Sequence, residues 1–286
     1  MTEDSQKANR DAGRLAGQPA AAGVALMIWR LLYRQRAMIV RVISFCCFLL
    51  AWEIYARQQS PIIMAPFTDV VVALIELLGT SEFRAAYWET IKPFGIGLTL
   101  AICTGVPLGL LIGSSRYFRS AFLPYVNFLN AVPMTAFIPL VVIAFGIGLQ
   151  GRYMVVYLFA ISELVLNSAA GVRYVDAQLI DMANSFGASR FRIFRSIILP
   201  GSMPGVMAGL RLGAGRSVVG MVAAELLLVS VGLGQVISKY RGLFQTENLY
   251  ATVLIMAITG LLVLEVVRRI ERRALHWQRG VAEANR

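Results

Sequence analysis

Few residues of this chain carry a charge. Asp, Glu, Lys and Arg make up 15% of its 286 residues, whereas a soluble domain usually carries about a quarter. Several apolar runs approach the ~20 residues needed to cross a bilayer, so the composition predicts an integral membrane protein and excludes an ordinary soluble domain. The net charge of +11 does not indicate nucleic-acid binding, because the basic residues lie at the ends of apolar runs, as in membrane proteins.

Residues with nucleophilic, acid–base or metal-binding chemistry are also scarce. The three cysteines, Cys46, Cys47 and Cys103, lie inside apolar runs without metal-ligand spacing. The one histidine, His276, falls in the basic C-terminal tail. No catalytic cluster is visible, and no Gly-x-x-x-x-Gly-Lys-Ser/Thr loop occurs. We therefore expect no catalytic residue, metal or cofactor in this chain, and no ATP binding by the chain itself.

The apolar runs predict an all-α, polytopic membrane protein with about six transmembrane helices. The predicted spans cover residues 38–56, 92–113, 121–148, 153–171, 200–228 and 248–267. We expect Pro133 and Pro139 to interrupt the third span, and "SSRYFRS" (114–120) to form the short turn before it. The segment "FTDVVVALIELLG" predicts an amphipathic helix after the first span.

The distribution of basic residues predicts the orientation of these spans. With six spans both termini lie on one side, and 19 of the 27 Lys and Arg fall on that side against six on the other. The positive-inside rule then places both termini in the cytoplasm. Three regions are expected: a cytoplasmic tail with an interfacial helix (1–36), a transmembrane domain (37–270, with a loop at 174–200), and a basic tail (271–286).

Two predicted spans carry small residues at every fourth position, which places them on one helix face. The series are Gly97, Ala101, Gly105, Gly109 and Gly113, and Gly201, Gly205, Gly209, Gly213 and Ser217. Small residues let helix backbones approach closely in lipid. The spacing favours close helix packing over a direct role in function.

The predicted cytoplasmic loop contains "DMANSFGASRFRIFRSIILP", from Asp181 to Pro200. Asp176 is suited to cap a short helix, Gly187 to end it in the left-handed conformation, and Ser189 to cap a second helix. One side of the first helix presents a small apolar face for a partner's groove, formed by Ala177, Ile180, Ala183 and Asn184. The alternative is an ordinary basic loop, and spacing alone leaves both open.

Ionisable and polar residues inside the predicted spans are candidates for a translocation pathway, because charges there are costly and usually face a cavity or a partner. The charged candidates are Glu163, Arg211, Arg216 and Glu225. Because broken helices at membrane depth usually line cavities, Asn130, Met134 and Thr135 beside the Pro133 break are candidates too. Either arginine could attract an anion. The alternative, which we favour, is that the arginines pair with Glu163 or Glu225 inside the bundle.

The loop resembles the EAA loop of permease subunits of bacterial ABC importers. That pattern reads Glu-Ala-Ala, three residues, Gly, nine residues, Ile, one residue, Leu-Pro. Here Gly187, Ile197, Leu199 and Pro200 match it, while Asp181-Met182-Ala183 stands at the Glu-Ala-Ala position. "FLNAVPMTAFIPLVVIAFGIG" and "PGVMAGLRLGAGRSVVGMVAAELLLVSVGLGQVI" are similar to spans of the nitrate, sulfonate, taurine and bicarbonate branch. The resemblance covers roughly 85–270, and Ser217-Val218 departs from the expected Ala-Trp.

The resemblance implies a type I ABC importer permease of MetI-like fold, whose cytoplasmic coupling helix docks on a separate ATPase dimer that binds ATP and Mg²⁺. It also implies a periplasmic or lipid-anchored solute-binding protein and a second permease copy, as a homodimer. Coupling roles carry over to Asp181, Ala183 and Gly187, within the motif that includes Ala188. The substrate implied is a small anion such as a sulfonate, nitrate, bicarbonate or carboxylate. An ion-coupled secondary transporter is the alternative.

Overall fold

A computed structural model of the chain describes residues 21–228 and 231–276, with side chains from residue 38 onward. The predicted N-terminal tail over 1–20 and the last part of the basic tail, 277–286, lie outside these ranges. The chain divides into two compact units, Met1–Thr68 and Asp69–Arg286, and each is described by itself.

The first unit is built on α1, Ala21–Gln58. Its segment Met38–Gln58 is long and apolar enough to cross a membrane, which agrees with the predicted first span. The helix is continuous, so no break separates the span from the predicted interfacial segment at 24–36. After α1 the chain folds back on the helix, because the indole N–H of Trp52 donates a hydrogen bond to the carbonyl oxygen of Ala65 (3.1 Å).

The rest of the described chain is a bundle of helices. In chain order these are α2 Phe67–Gly79, α3 Ser81–Ser114, α4 Arg116–Ala131, α5 Ile138–Phe145, α6 Leu149–Arg173, α7 Ala177–Ser185, α8 Arg190–Ile193, α9 Leu199–Leu228, α10 Leu233–Gly242 and α11 Thr246–Ala274. Among the described residues, five helical stretches, including Met38–Gln58 of α1, are long and apolar enough to span a bilayer. Helix α4 with the segment that leads through α5 makes a sixth if it counts as one span. The predicted all-α class with about six spans is confirmed, and α2 matches the predicted amphipathic helix.

The second span is longer than the sequence suggested. Helix α3 begins at Ser81, well before the predicted residue 92, because the hydroxyl oxygen of Thr80 caps it by accepting from the N–H of Phe83 (3.3 Å). The predicted turn at 114–120 was wrong in extent. Only Ser115 leaves the helical conformation. This single extended residue separates α3 from α4.

The third span is broken by one proline rather than two. Val132 is extended (φ −81°, ψ 138°) because a residue before proline is disfavoured in the α region, and the two halves meet at 98°. Pro133 therefore ends α4, as predicted. Pro139 does not interrupt anything, since it lies in the first turn of α5, where the missing N–H would have had no helical partner.

Helix α6 forms the centre of the bundle, with 67% of its most apolar stretch buried against 33% for α3. The α3 series of small residues packs on one side of it: a Cβ placed on Gly109 would lie 2.6 Å from the Cβ of Ser168. The α9 series packs on another side, where the Cα of Gly171 faces Gly205. The predicted packing role of both series is confirmed, and α6 is the helix that both of them contact.

Replacement of Gly205 by valine is expected to destabilise the bundle by about 1–3 kcal/mol. The new Cβ would overlap Gly171 and lie 2.8 Å from the carbonyl oxygen of Asn167, so α6 and α9 would have to separate. Gly215→Val is the matched control on the same helix, since its Cβ would meet only Leu264 at 3.8 Å. Heating the detergent-solubilised protein and measuring the monodisperse fraction checks the difference, and equal loss in both variants would contradict the packing argument.

Candidate functional site

The loop between α6 and α9 begins with a capped helix. A carboxylate oxygen of Asp176 accepts a hydrogen bond from the N–H of Gln178 (2.9 Å), which satisfies one of the unpaired donors at the start of α7. Helix α7 then runs from Ala177 to Ser185. The predicted cap and helix are confirmed.

Gly187 ends this helix in the left-handed region, with φ +73°. Two hydrogen bonds close the end of α7: the N–H of Gly187 donates to the carbonyl oxygen of Asn184 (2.9 Å), and the N–H of Ala188 donates to that of Ala183 (3.0 Å). This pair of bonds is the Schellman motif, whose glycine position requires positive φ. Apart from its chain neighbours, no atom lies within 4 Å of the place where a Cβ would stand on Gly187, so only the backbone angle disfavours other residues here.

The second half of the loop leads into α9 without a gap. The hydroxyl oxygen of Ser189 accepts from the N–H of Arg192 (3.4 Å), which caps α8 as predicted. A π-helical turn, Phe194–Ile198, follows, and the N–H of Leu199 donates to the carbonyl oxygen of Phe194. The fifth span therefore begins at Arg190 rather than at residue 200.

The π turn contains Ile197 and precedes Leu199-Pro200. Pro200 has no N–H to donate to the carbonyl oxygen one turn earlier. The wider π turn accommodates the missing hydrogen bond without ending the helix. Single π turns inside helices are frequent at functional sites. The Ile-x-Leu-Pro part of the motif thus begins in the π turn, at Ile197, and ends in the first residues of α9.

Helix α7 has no buried residue, and its largest exposed apolar side chains lie outside the predicted face. Ile180 and Ala183 are half-buried, whereas the large apolar side chains that face outward are Leu179, Met182 and Phe186, which is 84% exposed. Their spacing of i, i+3 and i+7 follows one helix face. That pattern was readable from the sequence, but only the structure tells which of the two apolar faces stays open.

The described side chains form a polar layer between α4, α6 and α9. The guanidinium of Arg216 lies 2.8 Å from a carboxylate oxygen of Glu163, and the other oxygen of that carboxylate accepts from the amide of Asn167 (3.1 Å). The hydroxyl of Ser162 donates to the amide oxygen of Asn130 (3.5 Å). The Arg216 side chain is 42% exposed and that of Glu163 only 11%, so the arginine is the open member of the pair.

The other pathway candidates do not share the contacts of this polar layer. Met134 is buried in a hydrophobic cluster with Ile138 and Phe159, while Thr135 is exposed. Arg211 pairs with Glu271 on α11 (3.2 Å), not with Glu163 or Glu225. Of the two arginines, only Arg216 has a predicted partner.

Glu225 belongs to a buried network that the sequence did not predict. Its carboxylate lies 3.3 Å from the guanidinium of Arg152, and both side chains are 3% exposed or less. It also accepts from the N–H of Gly234 at the start of α10 (2.8 Å), and the hydroxyl of Thr90 accepts from the N–H of Leu233 (2.9 Å). The network joins α3, α6, α9 and α10.

Within residues 38–228 and 231–276, whose side chains the structure describes, no three His, Cys, Asp or Glu side chains are grouped as metal ligands would be. Several charged groups of the bundle instead form pairs of opposite sign.

The family model of the binding-protein-dependent transport system inner membrane component matches residues 105–276. The chain belongs to this family. It is the membrane permease component of an ABC importer, as the resemblance implied. Members of the family are non-enzymatic membrane components with several membrane-spanning helices. The matched region contains the loop between α6 and α9, the polar layer, and the Arg152–Glu225 pair.

Named relatives span most of the chain. The taurine transport system permease protein TauC of Escherichia coli (strain K12) is 31% identical over 232 residues, which are 79% of this chain and 84% of that protein. The aliphatic sulfonates transport permease protein SsuC of Bacillus subtilis (strain 168) is 30% identical over 220 residues, or 77% and 79% of the two chains.

Solved ABC transporters share the fold. An inward-facing structure of the MetNI methionine ABC transporter has a TM-score of 0.52 at 20% identity, with 65% of this chain and 93% of that chain covered. An amino acid ABC transporter solved with histidines has a TM-score of 0.54 at 15% identity, with 67% and 93% covered. The predicted MetI-like permease fold is confirmed.

Proposed function

We propose that this permease imports a small anion, with sulfonates as the first class to test. The observation that carries the proposal is the half-open guanidinium of Arg216 in the polar layer, since a partly desolvated arginine attracts sulfonate, carboxylate or nitrate oxygens. Two relatives are named for taurine and for aliphatic sulfonates, which supports the same class. We assign Asn130 and Thr135 to the proposed pathway together with Arg216. Met134 and Glu225 are buried, and Arg211 pairs with Glu271 outside the polar layer, so these three are weaker candidates.

The energy source is proposed to be a separate ATPase dimer, which binds ATP and Mg²⁺ and holds the loop 176–190. Helix α7 supports this assignment because Leu179, Met182 and Phe186 present an open apolar face of the kind that enters a groove on a partner. Asp181, Ala183 and Gly187 would transmit closure of the ATPase to α9, through the π turn at Phe194–Ile198.

The remaining partners of the complex are proposed on the basis of the family resemblance. A solute-binding protein delivers the anion on the outer side, and a second copy of this chain completes the permease pair. The excess of Lys and Arg on one side supports an inner-membrane orientation with both termini in the cytoplasm.

Cysteine crosslinking tests the docking face. With Cys46, Cys47 and Cys103 replaced by alanine, Met182→Cys is expected to crosslink to cysteines in the ATPase groove, because its side chain is 51% exposed on the open apolar face. Asn184→Cys is the matched control on the face predicted from the sequence, and it is expected to react at least several-fold less. Crosslinking at 184 but not at 182 would assign docking to the other face, and no crosslinking at either position would contradict docking of α7.

Uptake into vesicles distinguishes ATP-driven import from the alternative, ion-coupled secondary transport. Vesicles that hold the complete complex are expected to take up the anion with ATP and no ion gradient. Uptake that ignores ATP and follows a Na⁺ or H⁺ gradient would overturn the proposed energy source.

A further inference from the structure

The polar layer contains a negative charge directly behind the arginine proposed to meet the anion. Glu163 lies on α6, 11% exposed, and one of its oxygens is 2.8 Å from Arg216. Its second oxygen is held by the amide of Asn167, so the carboxylate has a defined position. The two charges cancel, and the layer offers local hydrogen-bond donors with little net positive potential.

The arginine keeps donors free for a ligand. A guanidinium carries five N–H groups in a fixed fork, and within the described part of the chain Glu163 is the only group to which Arg216 is bonded. Because the Arg216 side chain is 42% exposed, we take these remaining donors to be open to a ligand. An oxyanion bound there would lie roughly 7 Å from the Glu163 carboxylate, across the width of the guanidinium.

The charge of the anion decides how it responds to this arrangement. The cost of removing an ion from water rises as the square of its charge, whereas its attraction to Arg216 and its repulsion by Glu163 rise only in proportion to the charge. A nearly neutral layer can hold a singly charged anion through hydrogen bonds, but it cannot offset the dehydration of a doubly charged one.

We propose that Glu163 is a specificity-determining residue that restricts the layer to singly charged oxyanions, by reducing the attraction of Arg216. The proposal rests on the proposed function, in that Arg216 meets the substrate. Weak attraction also lets the anion leave, as passage through a membrane site requires. Glu163 acts through Arg216 and does not itself bind the anion.

The test uses the purified permease–ATPase complex in lipid nanodiscs, without the solute-binding protein, and two probes of similar shape: methanesulfonate (one charge) and sulfate (two charges). Affinity is read from the concentration dependence of thermal stabilisation at constant ionic strength. We expect the wild-type complex to prefer methanesulfonate. In Glu163→Gln the affinity for methanesulfonate should rise roughly tenfold and that for sulfate by roughly the square of this factor, about a hundredfold.

The matched control is Glu271→Gln, which removes the same charge from the Arg211 pair outside the layer and should leave the ratio of the two affinities unchanged. If Glu163→Gln fails to assemble, Glu163→Asp, which withdraws the carboxylate by one methylene, should raise the sulfate affinity several-fold.

If the ratio of sulfate to methanesulfonate affinity is unchanged in the Glu163 variants, the proposal is overturned while the pathway role of Arg216 stands. Anion affinities that Arg216→Gln does not lower would instead contradict that pathway role, and the proposal with it. Docking of α7 is measured separately by crosslinking, and ATP dependence by uptake. A change in anion affinity is therefore not confused with failure of the proposed coupling to the ATPase.

Discussion

Gly187→Val is expected to abolish ATP-driven uptake while the chain remains folded in the membrane. Gly187 has a φ of +73°, a value that β-branched residues adopt only as outliers. Valine would force the end of α7 out of the left-handed conformation and break the two hydrogen bonds that close it, and this strain costs about 1–3 kcal/mol. Since the site is on an exposed loop, the bundle should still assemble. ATP hydrolysis and uptake in proteoliposomes check the result, with hydrolysis expected to continue without transport.

The surroundings of Gly187 allow a clean control. No atom lies within 4 Å of an added Cβ, so a side chain has room and only the backbone angle opposes it. Asparagine tolerates this region better than other side chains, and Gly187→Asn is expected to retain most of the uptake. Equal loss in both variants would show that side-chain size matters rather than the turn, and full activity in Gly187→Val would remove the turn from the coupling mechanism.

Arg152→Met is expected to destabilise the bundle by about 3–5 kcal/mol, the usual effect of breaking a buried ion pair. The guanidinium is 3% exposed and lies 3.3 Å from Glu225, so its removal leaves a buried carboxylate without its opposite charge. The carboxylate also holds the start of α10 through Gly234, and that end of the bundle should loosen first. A large drop in the midpoint of thermal unfolding of the solubilised protein is the measurement.

The double variant Arg152→Met/Glu225→Gln removes both charges, while the glutamine amide oxygen can still accept from Gly234. It is expected to recover most of the lost stability. Arg211→Met is the control for an exposed pair, because the Arg211 side chain is 49% exposed. It should lower the free energy of unfolding by less than about 1 kcal/mol. A double variant as unstable as Arg152→Met alone would show that packing, not the unpaired charge, dominates.

The conformation of the loop was predictable because each of its signals is local. An acid before a helix, a glycine after it and a serine before the next helix act on backbone groups two or three residues away. Asp176, Gly187 and Ser189 therefore have the predicted roles. Local signals do not reveal continuity, however: the sequence predicted a separate span beginning at residue 200, whereas the π turn Phe194–Ile198 joins α8 and α9 into one helical stretch from Arg190.

The partners of the charged residues were predicted only in part. Arg216 pairs with Glu163 as expected, but Arg211 pairs with Glu271, sixty positions away along the chain. The buried pair of Arg152 and Glu225 was not predicted. Such pairs depend on which helix faces are brought together, and the spacing of one helix carries no record of its neighbour.

The sequence by itself determined the membrane class, the number of spans, the capped loop and the family, because hydrophobicity, capping and motif spacing act over short stretches of chain. Only the tertiary structure decided that α6 is the central helix, that Leu179, Met182 and Phe186 form the open face of α7, and that Glu163 lies behind Arg216. Burial and charge pairing are set by contacts between helices that are distant in sequence, and these contacts exist only once the bundle has packed.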